Sequence, residues 1–208
     1  MRPSLRTRAL RLSALLAAFA GVALAEPPNL VANGDFDRSL EDWERLGAVA
    51  DSLWSGEDVD LDPASGSIWV RNRLLQPEFL VVRRQCIALA EPSHAYLVGA
   101  SLQIDLKSVP GSGVFADFRF YENADCSGSS NGDAVVAEAP GWSLRTMTFR
   151  PEDLWFDAGS LEVTLGAFKN ERSEGQASGY VDAVFAYADG LMRDGFDGGR
   201  EPDRSDQP

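Results

Sequence analysis

The stretch Val114-Phe115-Ala116-Asp117-Phe118-Arg119-Phe120-Tyr121 alternates from residue to residue between two kinds of side chain. One set of alternate positions is wholly apolar and consists of Val114, Ala116, Phe118 and Phe120. The other set is mainly polar or amphipathic and consists of Phe115, Asp117, Arg119 and Tyr121. Because successive side chains of a strand point to opposite sides of a sheet, this period of two predicts a β-strand with one face in a core.

The same period recurs on both sides of this stretch. It predicts further strands over Tyr96–Ile104, Arg145–Phe149, Leu161–Phe168 and Tyr180–Tyr187. Residues 33–35, 110–113, 123–133 and 171–179 are rich in Gly, Pro, Asn, Asp or Ser and predict the intervening turns. Several short strands separated by turn signals favour an all-β sandwich or barrel of antiparallel strands.

The N-terminus has the order of features that defines an export signal. Four arginines precede a short apolar run that extends to Val22, and the triplet Ala23-Leu24-Ala25 closes the segment. The alternative, a transmembrane anchor, needs about 20 apolar residues, and this run is shorter. We therefore expect a signal peptide over residues 1–25 and a secreted or periplasmic protein without a membrane span.

Cleavage of that signal changes the charge of the protein. The full chain has 19 Lys and Arg against 32 Asp and Glu; the signal holds four arginines and no acid, so the net charge falls from −13 to −17. Such a balance argues against nucleic acid and anionic membranes as partners. The remainder suits one domain over residues 26–190, followed by a polar tail over 191–208 that we expect to be disordered.

Cys86 and Cys126 are the only cysteines of the chain. In an exported protein two such residues are expected to form a disulfide. A reactive thiol or a metal ligand is the alternative, but the sequence has no CxxC motif and no histidine near either cysteine. Closing a loop of about 40 residues should contribute roughly 4 kcal/mol to stability.

Four short motifs resemble those of jelly-roll carbohydrate-binding modules of the galactose-binding-like superfamily, the CenC type in particular. They are Asn29–Asp37 followed by Trp43, then Ala64–Val70, then Gln85-Cys86-Ile87, and last Gly179–Val184. In those modules the first motif is the opening strand. The matches extend from Asn29 to about Tyr187, and the resemblance implies a jelly-roll β-sandwich of two antiparallel sheets.

The resemblance also implies a structural calcium site that joins the first loop to the last strand. Carried over residue by residue, Asp37 and Asp182 supply side-chain ligands, and backbone carbonyls near Asp35 and Ser65 complete the shell. Calcium takes six to eight oxygen ligands of these kinds. The alternative is that Asp182 only caps a turn and that Asp37 is a solvated loop residue.

A candidate ligand surface follows if the strands around Trp69, Gln103 and Arg119 lie in one sheet. Their outward side chains combine aromatic rings with planar polar groups, as sugar binding requires. This surface consists of Trp69, Arg71, Gln103, Asp105, Asp117, Arg119 and Tyr121. The alternative is an ordinary solvated sheet face.

The remaining tryptophans divide by position. Trp43 and Trp142 occupy positions that the resembled modules bury, so we expect both in the core. Trp54 and Trp155 lie in expected loops or strand ends, where they either rim a cleft or close the ends of the sandwich.

Catalysis has little support in the sequence. His94, the only histidine, lies in an expected turn, and no GxSxG nucleophile motif occurs. With 32 carboxylates, some acid pair always lies at a suitable spacing for glycoside cleavage, so such pairs are uninformative. The sequence thus favours a non-catalytic carbohydrate-binding-like module that binds a polysaccharide or glycan. The alternative is an exported structural or protein-interaction sandwich.

Overall fold

Ten β-strands make up most of the computed structural model, which describes residues 27–48, 51–90 and 94–189. They are β1 (Glu44–Arg45), β2 (Ser52–Ser55), β3 (Ser67–Asn72), β4 (Glu78–Ala88), β5 (Ala95–Ile104), β6 (Ser112–Tyr121), β7 (Ser130–Ala137), β8 (Ser143–Phe149), β9 (Ser160–Lys169) and β10 (Ala177–Asp189). A short 3-10 turn at Pro151–Asp153 precedes β9. The predictions for residues 1–25 and 191–208 lie outside the described residues.

The strands form two antiparallel sheets that pack face to face. The front sheet has the order β1-β4-β9-β6-β7, and the back sheet has the order β2-β3-β10-β5-β8. Neighbours in a sheet are distant in sequence, as in β4 beside β9 or β3 beside β10, which is the connectivity of a jelly roll rather than of simple hairpins. The predicted all-β sandwich of two antiparallel sheets is confirmed. No helix in the described ranges is long and apolar enough to cross a membrane.

The core lies between the two sheets and follows the alternation of the sequence. Val114, Ala116, Phe118 and Phe120 of β6 are fully buried, as are Val98, Ala100 and Leu102 of β5. Burying one large apolar side chain stabilises the fold by roughly 1.5–3 kcal/mol. The pattern that predicted these strands therefore also accounts for most of what holds the sheets together.

The first motif, Asn29–Asp37, is not a strand, which corrects the expectation from the resemblance. It consists of turns in which Asn33 and Phe36 have left-handed φ angles of 48° and 50°. The Asn29 amide donates to the carbonyl of Val184 at 3.0 Å and accepts from the N–H of Ala186 at 3.0 Å. The start of the domain is thus bonded to its last strand by an asparagine side chain together with two backbone hydrogen bonds, from Leu30 to Ala186 and from Val184 to Gly34, rather than by a regular strand ladder.

Asn33 and Gly34 hold the rest of this motif in place. The Asn33 amide donates to the carbonyl of Glu41 at 3.0 Å, and the Asn33 carbonyl accepts the indole N–H of Trp43 at 3.1 Å. Trp43 is buried, as predicted, and stacks on Phe36 with ring centroids 5.6 Å apart. Gly34 is required here because a Cβ would lie 2.1 Å from the Val184 carbonyl oxygen.

Several strands differ from the sequence prediction: β1 and β2 were not predicted, β6 and β10 begin within expected turns, and the largest differences concern β7 and β4. β7 begins at Ser130, within the expected turn 123–133. β4 was recognised only at Gln85-Cys86-Ile87, yet it extends from Glu78 to Ala88. Its register with β9 shifts between Val81 and Arg83, and this bulge interrupts the alternation that would have marked it.

The predicted disulfide between Cys86 and Cys126 is confirmed. The two Cα atoms lie 6.0 Å apart, and the bridge joins β4 to the loop between β6 and β7. β9 separates β4 from β6 in the sheet, so the bridge crosses a strand. It therefore fixes that loop to a part of the front sheet that no backbone pairing of β6 or β7 reaches.

Replacing Gln85 with alanine should lower the free energy of unfolding by about 2 kcal/mol, because its buried amide bonds the opening segment to β4. Gln85 accepts from the Ala32 N–H at 2.8 Å and donates to the carbonyls of Ala32 at 3.0 Å and Asp42 at 3.2 Å. Urea denaturation measures the change. Gln103→Ala, at a half-buried glutamine on the outer face of β5, serves as control; an equal loss in both variants would contradict this role.

Candidate functional site

The seven residues predicted to form one ligand surface lie on opposite outer faces of the sandwich. Four belong to strands of the back sheet or to the residue after β5: Trp69, Arg71, Gln103 and Asp105. Three belong to β6 of the front sheet: Asp117, Arg119 and Tyr121. The condition that the three strands share one sheet is not met, so the structure offers two separate surfaces.

The three front-sheet residues lie in or beside a groove of about 350 Å³, here called the front groove. Strands β4, β6, β7 and β9 contribute its lining, which consists of Phe79, Val81, Phe115, Asp117, Arg119, Gly132, Asp133, Ala134 and Thr164. The register places Asp117 between Thr164 of β9 and Ala134 of β7. Small neighbours on both sides leave the carboxylate at the floor of the groove.

One end of the front groove is an aromatic platform. Phe79 is 55 % exposed and stacks on Phe168 with ring centroids 4.7 Å apart and an interplanar angle of 13°. It also contacts Phe115, at 5.3 Å. The ring of Phe115 lies over Gly166, where a Cβ would come within 2.7 Å of it. Phe79 therefore offers its free face to the groove above a rigid aromatic base.

Beyond the platform the groove and its border are charged, with more carboxylates than arginines because Asp133 also lines the groove. Arg119 lies 3.6 Å from the Asp117 carboxylate. Arg84 lies 2.7 Å from Glu44 and 3.6 Å from Glu162. Each guanidinium thus has a carboxylate partner and still presents several N–H donors. Such a floor suits a ligand with many hydroxyl groups and no net charge.

Burial adjusts the acid–base properties of this floor. It raises the pKa of Asp117, to which Glu162 and Asp133 also contribute, while Arg119 acts in the opposite direction. The Tyr121 hydroxyl donates to Glu162 at 3.1 Å, and burial together with that carboxylate raises the pKa of Tyr121. Tyr121 is held by this hydrogen bond and Asp117 by its ion pair with Arg119, which reduces the entropy lost when a ligand binds.

Sequence reasoning missed the front-groove residues outside β6. Phe79 and Val81 were not predicted as strand residues, because the bulge in β4 removes the alternation on which a strand prediction depends. Gly132 and Asp133 were assigned to a turn, and Ala134 was assigned to no strand. A weak signal was present in the aromatic residue Phe79 next to the apolar run Leu80-Val81-Val82, which is typical of a strand rich in β-branched and aromatic residues.

The other predicted residues lie on the outer face of the back sheet. The strand register aligns Leu53, Trp69, Tyr180 and Gln103 across β2, β3, β10 and β5. Trp142, which directly precedes β8, places its ring centroid 6.2 Å from that of Tyr180. We call these five residues the back row. Asp105 lies outside it, where its carboxylate accepts from the Ser178 hydroxyl at 3.5 Å.

Three tryptophans were assigned from sequence to the core or to the rim. Trp142 is half-buried on the outer face of the back sheet, so the prediction that it belongs to the core is wrong; it follows a turn and packs on Tyr180. Trp54 lies in β2, is 41 % exposed and donates its indole N–H to the Phe36 carbonyl at 2.8 Å. Trp155 is 73 % exposed in the segment between β8 and β9.

All four residues predicted for the metal site line one cavity of about 130 Å³, here called the acidic cavity. It lies between the turn at 33–37, the loop at 56–66 and β10. The eight described residues around it include five aspartates and no basic side chain: Asp35, Asp37, Val59, Asp60, Asp62, Ser65, Asp182 and Ala183. Sequence reasoning missed Asp60 and Asp62 because they belong to a loop outside the resembled motifs.

Asp182 is the most buried carboxylate of the acidic cavity, at 2 % exposure. It accepts from the N–H of Val59 at 3.0 Å and from that of Ala183 at 2.6 Å. Burial nevertheless raises its pKa to about 7, and the charges of Asp58 and Asp35 add to the rise. An added cation would offset this accumulation of negative charge.

Within the described ranges, no group of three or more His, Cys, Asp or Glu side chains is arranged so that it could hold a metal ion. The predicted site needs fewer side-chain ligands, because Asp37 and Asp182 would act together with backbone carbonyls. The donors around the acidic cavity are all oxygens, which is the ligand chemistry of calcium. The residues therefore fit a calcium ion in chemistry, and its binding remains a prediction.

Comparison with known proteins adds information on the fold alone. No protein-family model matches the chain, and no curated protein matches its sequence. Among solved structures, a second module of carbohydrate-binding family 16 is similar at a TM-score of 0.54 and 18 % identity, over 76 % of this chain and 99 % of that one. The CBM22-1 xylan-binding domain from Paenibacillus barcinonensis Xyn10C is similar at a TM-score of 0.51 and 9 % identity, over 78 % and 96 %.

These likenesses define the class of structure to which the chain belongs. In architecture it is a jelly-roll sandwich of the kind found in carbohydrate-binding modules, as the sequence motifs implied. Each of the two modules is matched over nearly its whole length, so the likeness of fold extends over the whole sandwich.

Proposed function

We propose that this protein is an exported, non-catalytic carbohydrate-binding module whose ligand lies in the front groove. The observation that carries the proposal is the composition of that groove. An exposed ring, Phe79, adjoins hydrogen-bonding side chains, Asp117 and Arg119, that are already held by other contacts. A pyranose ring has an apolar face that packs on an aromatic ring and hydroxyls that bond to polar side chains.

Charge favours a neutral glycan over an acidic one. Arg119 is paired with Asp117, and Arg84 with Glu44 and Glu162, so a ligand carboxylate would compete with existing partners. The chain as a whole carries a net charge of −13. Polyanionic sugars would therefore be repelled at long range and would find few unpaired cations at the site.

Calcium binding in the acidic cavity is part of the proposal. Asp37 and Asp182 would contribute carboxylate oxygens, and the backbone near Asp35 and Ser65 would contribute carbonyl oxygens. The ion would join the turn at 33–37 to β10 on the back of the sandwich, away from the front groove. Its role is therefore structural, since it would hold the first motif against the last strand.

Export is supported by the disulfide as well as by the N-terminal pattern. A bridge between Cys86 and Cys126 persists only in an oxidising compartment. We accordingly place the protein in the periplasm or outside the cell, where polysaccharides are available. The second candidate function, protein interaction through the front sheet, has less support, because charged residues lie at the groove floor whereas the core of a protein interface is depleted of charged residues.

A glycan array and pull-down on insoluble polysaccharides test the proposed function. The wild type should bind at least one neutral glycan, and Phe79→Ala and Arg119→Ala should each weaken that binding about tenfold, equivalent to roughly 1.4 kcal/mol. Arg145→Ala, at an exposed arginine of β8 on the other sheet, is the matched control and should bind as the wild type does. Thermal melts establish that each variant is folded.

Absence of binding to any polysaccharide would overturn the proposed function. Wild-type affinity in both folded groove variants would show instead that the front groove is not the site.

A further inference from the structure

We infer that the back row is a second binding surface for a neutral glycan chain, which makes the protein bivalent. The inference takes its ligand class from the proposed function but rests on a different face of the molecule. The back row extends across four strands of the back sheet, β2, β3, β10 and β5, and Trp142 beside β8 packs on its Tyr180. At about 4.8 Å between strands, the four strand residues span roughly 14 Å, enough for a few linked sugar rings.

The side chains of the back row are those that sugar recognition uses. Trp69, Tyr180 and Trp142 supply three aromatic rings, and Gln103, which pairs with Tyr180 in the strand register, supplies a planar amide. The guanidinium of Arg71 lies over the Trp69 ring at 5.0 Å, which holds that ring in place. Leu53 is 45 % exposed at the end of the row.

The row is narrow, which argues for a chain-like ligand. On one side its neighbours are Arg71, Ser178 and Asp105, and on the other side they are Ser67, Asp182 and Ser101. None of these six side chains is aromatic. The aromatic residues therefore form a single row bordered by polar side chains, whereas a stable protein interface buries about 800 Å² on each partner.

Charge selects a neutral ligand here as well. Asp51 lies 3.4 Å from Arg71 and 3.1 Å from Arg73, so the cations beside the row are matched. Burial and the nearby carboxylates of Glu57 and Asp105 raise the pKa of Tyr180, which shows that the local field is negative. An anionic ligand or a second copy of this acidic chain would be repelled.

Titration calorimetry with soluble neutral polysaccharides tests the inference; mixed-linkage β-glucan, xylan, galactomannan and their hexasaccharides serve as probes. The wild type should bind two hexasaccharides per molecule and precipitate the matching polymer. The double variant Trp69→Ala/Trp142→Ala should bind one hexasaccharide and lose the precipitation. Arg119→Ala should weaken only the other site about tenfold, and Trp155→Ala, at an exposed tryptophan outside the row, should behave as the wild type.

The outcomes separate the inference from the proposed function. One hexasaccharide per wild-type molecule, bound about tenfold more weakly by Arg119→Ala and normally by the tryptophan variant, would overturn the second surface and leave the proposed function intact. One hexasaccharide lost only in the tryptophan variant would overturn both bivalent binding and the assignment of the ligand to the front groove. No binding of any probe by the wild type would overturn both. The number of hexasaccharides bound by the wild type tests bivalent binding even if a variant does not fold.

Discussion

Loss of the Cys86–Cys126 bridge should lower the melting temperature by roughly 8–16 °C. The bridge closes a loop of 40 residues, and restricting the unfolded chain in this way stabilises the native state by about 4 kcal/mol. For a chain of this size each kcal/mol corresponds to about 2–4 °C. The bridge also crosses β9 to fix the loop before β7, so its loss should loosen the edge of the sheet that borders the front groove.

Differential scanning calorimetry of the wild type with and without dithiothreitol measures this effect. Cys86 is exposed, so the reductant has access to the bridge in the folded protein. The double variant Cys86→Ala/Cys126→Ala is the control: it should melt like the reduced wild type and show no response to the reductant. Equal melting temperatures for the oxidised wild type and the double variant would contradict the stabilising role of the bridge.

Calcium should raise the melting temperature of the chelated protein by roughly 5–11 °C at an ion concentration a hundredfold above its dissociation constant. Binding to the native state alone then contributes about 2.7 kcal/mol. The expectation rests on five aspartates around a cavity of about 130 Å³. Melts in EGTA and in calcium measure the shift, and magnesium at equal concentration should give less, since it prefers a smaller and more regular shell.

The calcium effect should also depend on pH, because Asp182 binds the ion only when ionised. Its pKa of about 7 in the folded protein exceeds the ordinary 3.8, so the calcium-free protein should lose stability as pH rises from about 4 to about 7. At about 1.36 kcal/mol per unit the loss approaches roughly 4 kcal/mol. Calcium should therefore stabilise the protein strongly at pH 8 and weakly at pH 5.

Asp182→Asn provides the control for both effects. The amide oxygen can still accept from the Val59 N–H, but it carries no charge. The variant should lose most of the calcium response and the fall in stability with pH. If the wild type melts at the same temperature in EGTA and in calcium at pH 8, the acidic cavity does not hold calcium.

The core could be predicted from the sequence because buried and outward-facing side chains alternate along each strand of a sandwich. Val98 to Leu102 and Val114 to Phe120 alternate without interruption, and the structure buries the apolar positions that this alternation predicts. The period stopped being informative where the backbone departs from it. The bulge between Val81 and Arg83 in β4 is one such place, and the turns of Asn29–Asp37 are another.

The candidate site was only partly predictable because alternation says which way a side chain points but not which strands are neighbours. Trp69 and Arg119 both point outward, as predicted, yet they lie on opposite faces of the molecule. Phe115 also points outward, but Phe79 covers it, and it is only 2 % exposed. Both facts depend on contacts between residues distant in sequence.

The residues carried over for the metal site lie together, although calcium binding itself stays a prediction. Asp35, Asp37, Ser65 and Asp182 come from three separate segments, and the structure brings all four to one cavity. The resemblance could place them near one another because it carries information about the spatial arrangement of motifs, which a period of two does not. It was wrong about the local structure of the first motif, where side-chain bonds from Asn29 and Asn33 take the place of a strand.

The most direct test of the account is a ¹H–¹⁵N NMR titration of the wild type with the neutral oligosaccharide that binds best. We expect saturable shifts of the backbone amides of the front groove, chiefly Asp117, Arg119, Gly132 and Thr164, and in Arg119→Ala the remaining shifts should need about tenfold more ligand to saturate. The oligosaccharide would contradict the account if it bound without shifting any of these amides, and so would a full panel of neutral glycans that left every amide unshifted.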